Sequence, residues 1–271
     1  MSASIRLFRG AFGHVSMLNV ASDLVTHAHV DANIIVWLDG AAGDMIVSGR
    51  RVPLGPHTAA AINSFEPHSH AVPKEGGMFL AFYIDPDWAW RRRGLAEGSP
   101  LFSRPDVPLD PWLHRAAADL LACFDDGDAP DMAEYEVERF IDSVMDAADA
   151  AAPRRRGARM RGHDFRVRKS MQFMREKVAE RISFEEVART VGLSRPHFFA
   201  LFKEQTRLTP NVYWNTLRME EALRQLQASE EPLTAVASNL GFTTQGNFTR
   251  FFRDHAGVPP TLYREAVRAT A

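Results

Sequence analysis

With 271 residues, 45% hydrophobic and 24% charged, the chain has room for two domains, each with its own core. No run nears the ~18 apolar residues of a membrane helix, and the opening Met1-Ser-Ala-Ser-Ile-Arg6 lacks the basic-then-apolar order of a secretory signal. The single cysteine, Cys123, excludes an intramolecular disulfide and fits a reducing, cytoplasmic setting. The net charge of −2 conceals an asymmetry, since residues 1–150 carry 11 Lys+Arg against 22 Asp+Glu and the remainder 21 against 12. An acidic half joined to a basic half points to nucleic acid as one partner; a merely solvated basic face is the alternative.

The first elements in chain order are short apolar or alternating runs at residues 14–20, 24–29, 33–38, 44–47, 58–63 and 78–84. Gly40, Gly43, Gly49, Gly55, Gly76 and Gly77 punctuate them, the pattern of an antiparallel sandwich or small barrel. The aromatic group Phe82, Tyr83, Trp88 and Trp90 reads as core or as the cover of a ligand. Asp85-Pro86-Asp87 reads as a loop of turn residues and Arg91-Arg92-Arg93 as a solvated or interface patch. After Pro111 the period becomes helical: Trp112, Leu113, Ala116, Leu120, Leu121 and Phe124 recur on one face. A turn at residues 128–131 leads to a second helix bearing Val137, Phe140, Ile141, Val144, Met145 and Ala148. That apolar face exceeds what one neighbouring helix would cover and predicts a homodimer through it; complete burial within the chain is the alternative. Residues 151–162 hold five arginines, one proline and two glycines without apolar period, and read as a linker whose arginines either touch phosphates or stay solvated.

The remainder reads as helices broken by tight turns. In Phe184-Glu-Glu-Val-Ala-Arg-Thr-Val-Gly-Leu-Ser194, Gly192 supplies the left-handed turn residue and Ala188, four earlier, the close crossing of a helix-turn-helix. Ser194 is placed to cap the second helix, with Pro196 in its first turn. The pattern recurs in Leu233-Thr-Ala-Val-Ala-Ser-Asn-Leu-Gly-Phe-Thr243, with Gly241 and Ala237 in the same roles. An amphipathic helix over 211–228, roughly 27 Å long at 1.5 Å per residue, joins the two units and would set both second helices into successive major grooves. Facing away from the core residues are Arg195, Pro196, His197, Phe199 and Ala200 in the first unit. In the second they are Thr244, Gln245, Gly246, Thr249 and Arg250. Arg pairs bidentately with guanine, Gln with adenine, and Thr touches a thymine methyl; Phe199 either does the same or packs against the joining helix, and Arg253 is expected on a phosphate.

Four stretches carry a resemblance: Leu217-Arg218-Met-Glu-Glu-Ala222-Leu223, Leu240-Gly241-Phe242, Phe248-Thr-Arg250-Phe-Phe252-Arg253 and Gly257-Val-Pro-Pro260-Thr-Leu-Tyr263-Arg264. Through them residues 164–271 resemble the DNA-binding domain of the AraC/XylS family of transcription regulators. Arg207 stands where the family usually has glycine, and Ala200 where it often has an arginine reaching DNA. Family members often carry a cupin-like sensor in front, and residues 14–84 resemble one. His27-Ala-His29, Asn33 and Gly40 have the spacing of a first cupin motif, with Asn33 in place of its glutamate. Glu66-Pro67-His68-Ser-His70 resembles the second motif. His27, His29 and His68 could hold Zn²⁺ or Fe²⁺, with Asn33 a poor fourth ligand, or line an organic-effector pocket.

The expected fold is α+β: an antiparallel cupin-like β-barrel with two helices over 1–150, an Arg-rich linker over 151–163, and an all-α double helix-turn-helix domain over 164–271. The expected function is a non-enzymatic, ligand-responsive regulator whose partners are double-stranded DNA, a small-molecule effector and a second copy of itself, with no membrane. A metal-dependent cupin enzyme of dioxygenase type, fused to a DNA-binding tail, is the alternative; a missing carboxylate argues against it. An architectural protein without base preference is disfavoured by two recognition helices.

Overall fold

The structure is a computed structural model that describes residues 4–125, 130–151 and 164–269. The linker beyond residue 151 and part of the 128–131 turn therefore fall outside the described residues. Among the described residues ten strands form, nine of them within residues 4–84 and most from alternating or apolar runs. They are β1 (Ser4–Gly10), β2 (Gly13–Val20), β3 (Leu24–His27), β4 (Ala32–Gly40), β5 (Asp44–Val47), β6 (Arg50–Pro53), β7 (Thr58–Ile62), β8 (His68–Ala71), β9 (Gly77–Ile84) and β10 (Asp106–Pro108). They form two antiparallel sheets, one ordered β1-β2-β9-β4-β7-β10 and the other β3-β8-β5-β6. The expected barrel is thus an open two-sheet arrangement. β1 and β10 take the outer edges of the larger sheet, so no ladder joins it to the smaller one.

The larger sheet is apolar on both faces, as a twice-covered sheet must be. Ile34, Val36, Leu80 and Phe82 face a helical layer, while residues between them, Ile35, Phe79 and Ala81, face the smaller sheet. That layer holds three helices rather than two: α1 (Pro86–Arg93), α2 (Pro111–Asp125) and α3 (Pro130–Ala150). Asp85-Pro86 opens α1 instead of a loop, because the Asp85 carboxylate accepts the Trp88 N–H at 2.9 Å and proline suits a first helical position. The arginine run clamps α1 to α3: Arg92 pairs with Glu138 and Asp142, both at 2.8 Å, and Arg93 with Asp146 and Asp149 at 2.7 and 3.1 Å. The α3 face expected to dimerise is buried within the chain. Phe140 stacks on Phe82 at 5.0 Å, and Val137, Ile141 and Val144 are fully enclosed. α2 and the sheet together cover it. Exposed apolar side chains on these helices are instead Trp112, Met132 and Tyr135.

Seven helices follow: α4 (Phe165–Glu176), α5 (Phe184–Thr190), α6 (Arg195–Thr206), α7 (Pro210–Ala228), α8 (Leu233–Asn239), α9 (Gln245–Ala256) and α10 (Pro260–Ala269). Pairs α5–α6 and α8–α9 are the two helix-turn-helix units, and α7 joins them. The turns are duplicates. Gly192 and Gly241 have φ of 71° and 72°, and Leu193 and Phe242 donate at 2.9 Å to Ala188 and Ala237. This is the glycine-terminated Schellman closure, in which the left-handed residue lets the chain leave the helix at a steep angle. No described helix is long and apolar enough to cross a membrane.

Two apolar clusters cross between the sheet-rich and helical parts. The first unit packs with Ala28 around Phe198, Phe202 and Tyr213. The second unit's Phe248 and Phe252 belong to one cluster with Val20, Met45 and Phe79 of the sheets. The apolar core between the sheets therefore continues into the second helix-turn-helix unit.

Candidate functional site

Two sites meet on α9, one on its exposed face and one at its buried end. On the exposed face Gln245, Gly246, Thr249, Arg250 and Arg253 line a single shallow groove. Thr244 stands at its rim, where its hydroxyl caps α9 by accepting the Asn247 N–H at 3.1 Å. Arg253 lies 3.7 Å from Asp254, long for an ion pair, and is more than half exposed. The turn before α9 is held from outside by cations. Arg218 on α7 donates to the Leu240 carbonyl at 2.7 and 3.1 Å and lies 3.8 Å over the Phe242 ring; Arg181 donates to the Gly241 carbonyl at 2.9 Å. Burial lowers the Arg218 pKa to about 10, which leaves it charged at neutral pH.

The first unit presents less. Arg195, Pro196 and His197 are exposed, as is Ala200. Arg195 is occupied, 3.3 Å from Glu185 and stacked 5.1 Å over Phe199. Phe199 does not stand outward. It is half-buried, edge-on to Phe184 and Phe198 at 5.4 and 5.8 Å. At the start of α6 the free polar group is therefore His197, whereas α9 lines its groove with Gln245, Thr249, Arg250 and Arg253.

The buried site lies between the sheets. His27 ends β3, His29 follows it, and His68 opens β8, where it pairs with His27 across the ladder. One ring nitrogen from each lies within 4.8 Å of the others, and all three are buried. His27 Nδ1 donates to the Val25 carbonyl at 2.6 Å and His68 Nδ1 to the Glu66 carbonyl at 2.9 Å. A carbonyl only accepts, so both Nε2 atoms carry free lone pairs. Asn33 on β4 donates to the Phe82 carbonyl at 3.3 Å, and its Oδ1 is buried without a partner. Burial holds His27 and His29 well below the usual imidazole range and brings His68 to about 4, so the rings are neutral. Of the four aromatics considered as a cover, only Tyr83 lines this cavity; Phe82 and Trp88 pack on the helical layer.

The cavity measures about 30 Å³. That holds an ion or a water or two, since one water needs ~10–15 Å³ on this measure. Its roof comes from α9: His255 and Ala256 line it. Sequence patterning passed over His255. The signal was there, because His255 falls on the buried stripe that begins Phe248 and Phe252. A polar residue on such a stripe needs a partner.

A helix-turn-helix domain family matches residues 187–266. The chain is 35% identical over 98 residues to YobQ of Bacillus subtilis, an uncharacterized HTH-type transcriptional regulator, over 36% of this chain and 41% of that one. It thus spans well under half the length of that relative. It is 30% identical to the multiple antibiotic resistance protein MarA of Escherichia coli over 35% of this chain and 74% of MarA. Among solved structures, a single-substitution variant of apo ToxT from Vibrio cholerae shares the fold across both parts, with a TM-score of 0.58 at 10% identity over 97% of this chain and all of that one. With its duplicated turns and joining helix, the chain belongs to the AraC/XylS family of transcription regulators.

Proposed function

We propose that this chain is an effector-responsive, sequence-specific DNA-binding regulator acting in the cytoplasm. In this reading residues 1–150 sense, 151–163 link and 164–271 read double-stranded DNA. Base readout falls mainly to α9 through Gln245, Thr249 and Arg250, with Arg253 on phosphate; α6 adds Arg195, Pro196 and His197. The effector occupies the cavity of His27, His29, Asn33 and His68. The observation that carries the reading is the shared wall: the helix with the free polar face also roofs the buried site. A ligand that fits one placement of α9 better than another shifts its presentation to DNA, which is all that linkage requires. An effector larger than an ion enters by displacing that roof. Self-association uses the outer surface of α2 and α3 bearing Trp112, Met132 and Tyr135.

Selection of bound duplexes from a random pool by the full chain tests this. The expected product is a site with two half-sites about 10–10.5 bp apart, the α9 half more sharply defined. A pool that stays random would remove the regulator reading.

A further inference from the structure

We propose that His255 of α9 is a fourth imidazole ligand in a divalent transition-metal site with His27, His29 and His68, so that one ion ties the second recognition helix to the sheets. The proposal rests on the reading of the cavity as the effector site and names the effector's class.

The donor set fits an ion. His255 Nδ1 donates to the Phe251 carbonyl at 2.7 Å, which leaves Nε2 as the lone-pair nitrogen, and that atom is buried with no partner. The same pattern, Nδ1–H on a backbone carbonyl and Nε2 free, holds His27 and His68. It is the outer-shell arrangement that orients metal-bound imidazoles and fixes their tautomer. Ring centroids lie 4.3 Å apart for His27–His68, 4.8 Å for His27–His29, 5.2 Å for His29–His68 and 5.9 Å for His27–His255. An ion ~2.0–2.1 Å from each ring nitrogen sets neighbouring centroids roughly 5 Å apart. The centroids of the three sheet histidines lie near that spacing with their ring nitrogens still up to 4.8 Å apart, and the His27–His255 pair stands roughly 1 Å outside it. Ligation would draw the end of α9 inward by about that distance.

Size selects the ion over an organic molecule. Drug-sized ligands need ~300 Å³ or more, and this cavity offers about 30 Å³. Imidazole nitrogens suit Zn²⁺, Ni²⁺, Cu²⁺ and Fe²⁺ rather than the oxygen-seeking Mg²⁺ or Ca²⁺. The partnerless Asn33 Oδ1 adds a neutral oxygen on the same wall.

The full chain, purified without a histidine tag and stripped with chelator, is titrated with Zn²⁺ by native mass spectrometry and with Co²⁺ by visible absorption. One ion per chain and the intense absorption of four-coordinate Co²⁺ are expected. His255→Ala should lower Zn²⁺ affinity by roughly 100-fold, at or beyond the upper end of outer-shell losses, and weaken the Co²⁺ bands. Zn²⁺ should slow amide exchange near residues 251–257 in the wild type and not in His255→Ala. His70→Ala is the control for a changed cavity wall, because His70 points to the Ala42 carbonyl at 3.4 Å; it should bind as the wild type does. No ion bound by the wild type would overturn the proposal, as would a Co²⁺ spectrum unchanged in a folded His255→Ala. Either result leaves the regulator reading standing, since that reading falls only if duplex selection stays random.

Discussion

Glu220 offers a sharp test of how the two parts are held together. It projects from α7 to the turn between β3 and β4, where its Oε1 accepts the Val30 N–H at a long 3.4 Å. Burial, with the nearby Asp31 carboxylate second, raises its pKa from 4.5 to about 7. Asp31 itself rises to about 6, through burial and Asp85. A carboxyl that holds its proton more tightly when folded favours the folded state at low pH and loses that advantage as pH rises through the folded pKa. Stability attributable to Glu220 is therefore complete below about pH 4.5 and gone above about pH 8. At ~1.4 kcal/mol per unit of the pKa rise from 4.5 to about 7 the loss is about 3 kcal/mol, and closer to about 2 kcal/mol allowing for residual solvent contact. Glu220→Gln keeps the acceptor for Val30 and removes the charge. Urea unfolding of both proteins from pH 4 to pH 8.5 should show no difference at the acid end. Above pH 8 the variant should be more stable by about 2 kcal/mol. A difference that does not change with pH would refute the reasoning, because a packing effect has no reason to titrate.

Other predictions follow from single residues. Arg207 holds φ of 66° at the end of α6, where the equivalent residue closing α9 is Gly257 at 74°; Arg207→Gly should raise stability by about 0.5–1 kcal/mol, the left-handed penalty less the added freedom of the unfolded chain, and a lowered melting temperature would contradict it. Arg250→Ala should cost about 1–3 kcal/mol on the selected site and relax one base pair, whereas Arg253→Ala should weaken cognate and scrambled duplexes alike and flatten the salt dependence. Equal losses on both duplexes for Arg250→Ala would sink its readout role. Trp112→Glu with Tyr135→Glu should give folded monomers in sedimentation, while Phe140→Glu, which buries a charge, should unfold the sheet-rich part; a wild type already monomeric at about tens of micromolar would end the dimer argument.

The helical part was legible because its signals are stereochemical. Gly192 and Gly241 sit where only a left-handed residue closes the turn, and both alanines sit where a larger side chain would part the helices. The joining helix differs from its expected 211–228 span only by the cap, where Thr209 accepts the Val212 N–H at 3.3 Å and Pro210 takes the first turn. Sheet edges were less legible. β6 (Arg50-Arg51-Val52-Pro53) and β10 (Asp106-Val107-Pro108) carry charge and proline, as edges do to avoid further pairing, so they show no alternating apolar code. β8 is hidden for another reason, since its inward residues are His68 and His70. Helix α1 was misread because aspartate and proline serve turns and helix starts equally. The burial of α3 was misjudged because part of its cover is a sheet that only the fold supplies, beside α2. Three of the four clustered histidines were visible as motif spacing, and His255 was not, because it reaches the cavity from the other half of the chain.

The two helix-turn-helix units are not equivalent in their contact with the sheet-rich part, and that inequality gives the proposed coupling a direction. α6 touches the sheets through intermediaries: Phe65 packs on Tyr213 at 5.9 Å, and Thr216 donates to the Ala28 carbonyl at 3.1 Å, both through α7. α9 touches them directly. A Cβ on Gly257, at the end of α9, would stand 3.4 Å from Leu24 and 3.5 Å from Val20, so the chain leaves α9 against the sheet wall itself. A ligand that moves the cavity roof by an ångström therefore moves α9 first. Packed interiors transmit such a displacement rather than absorb it, and Arg218 passes it to α7 through the Leu240 carbonyl. In the proposed coupling, the unit with α9 is thus the one that a bound effector would move first. In the same reading the first unit, its Arg195 held by Glu185, would contribute placement more than discrimination. Regulation of this kind would change which sequences are read well, and not only how tightly DNA is held.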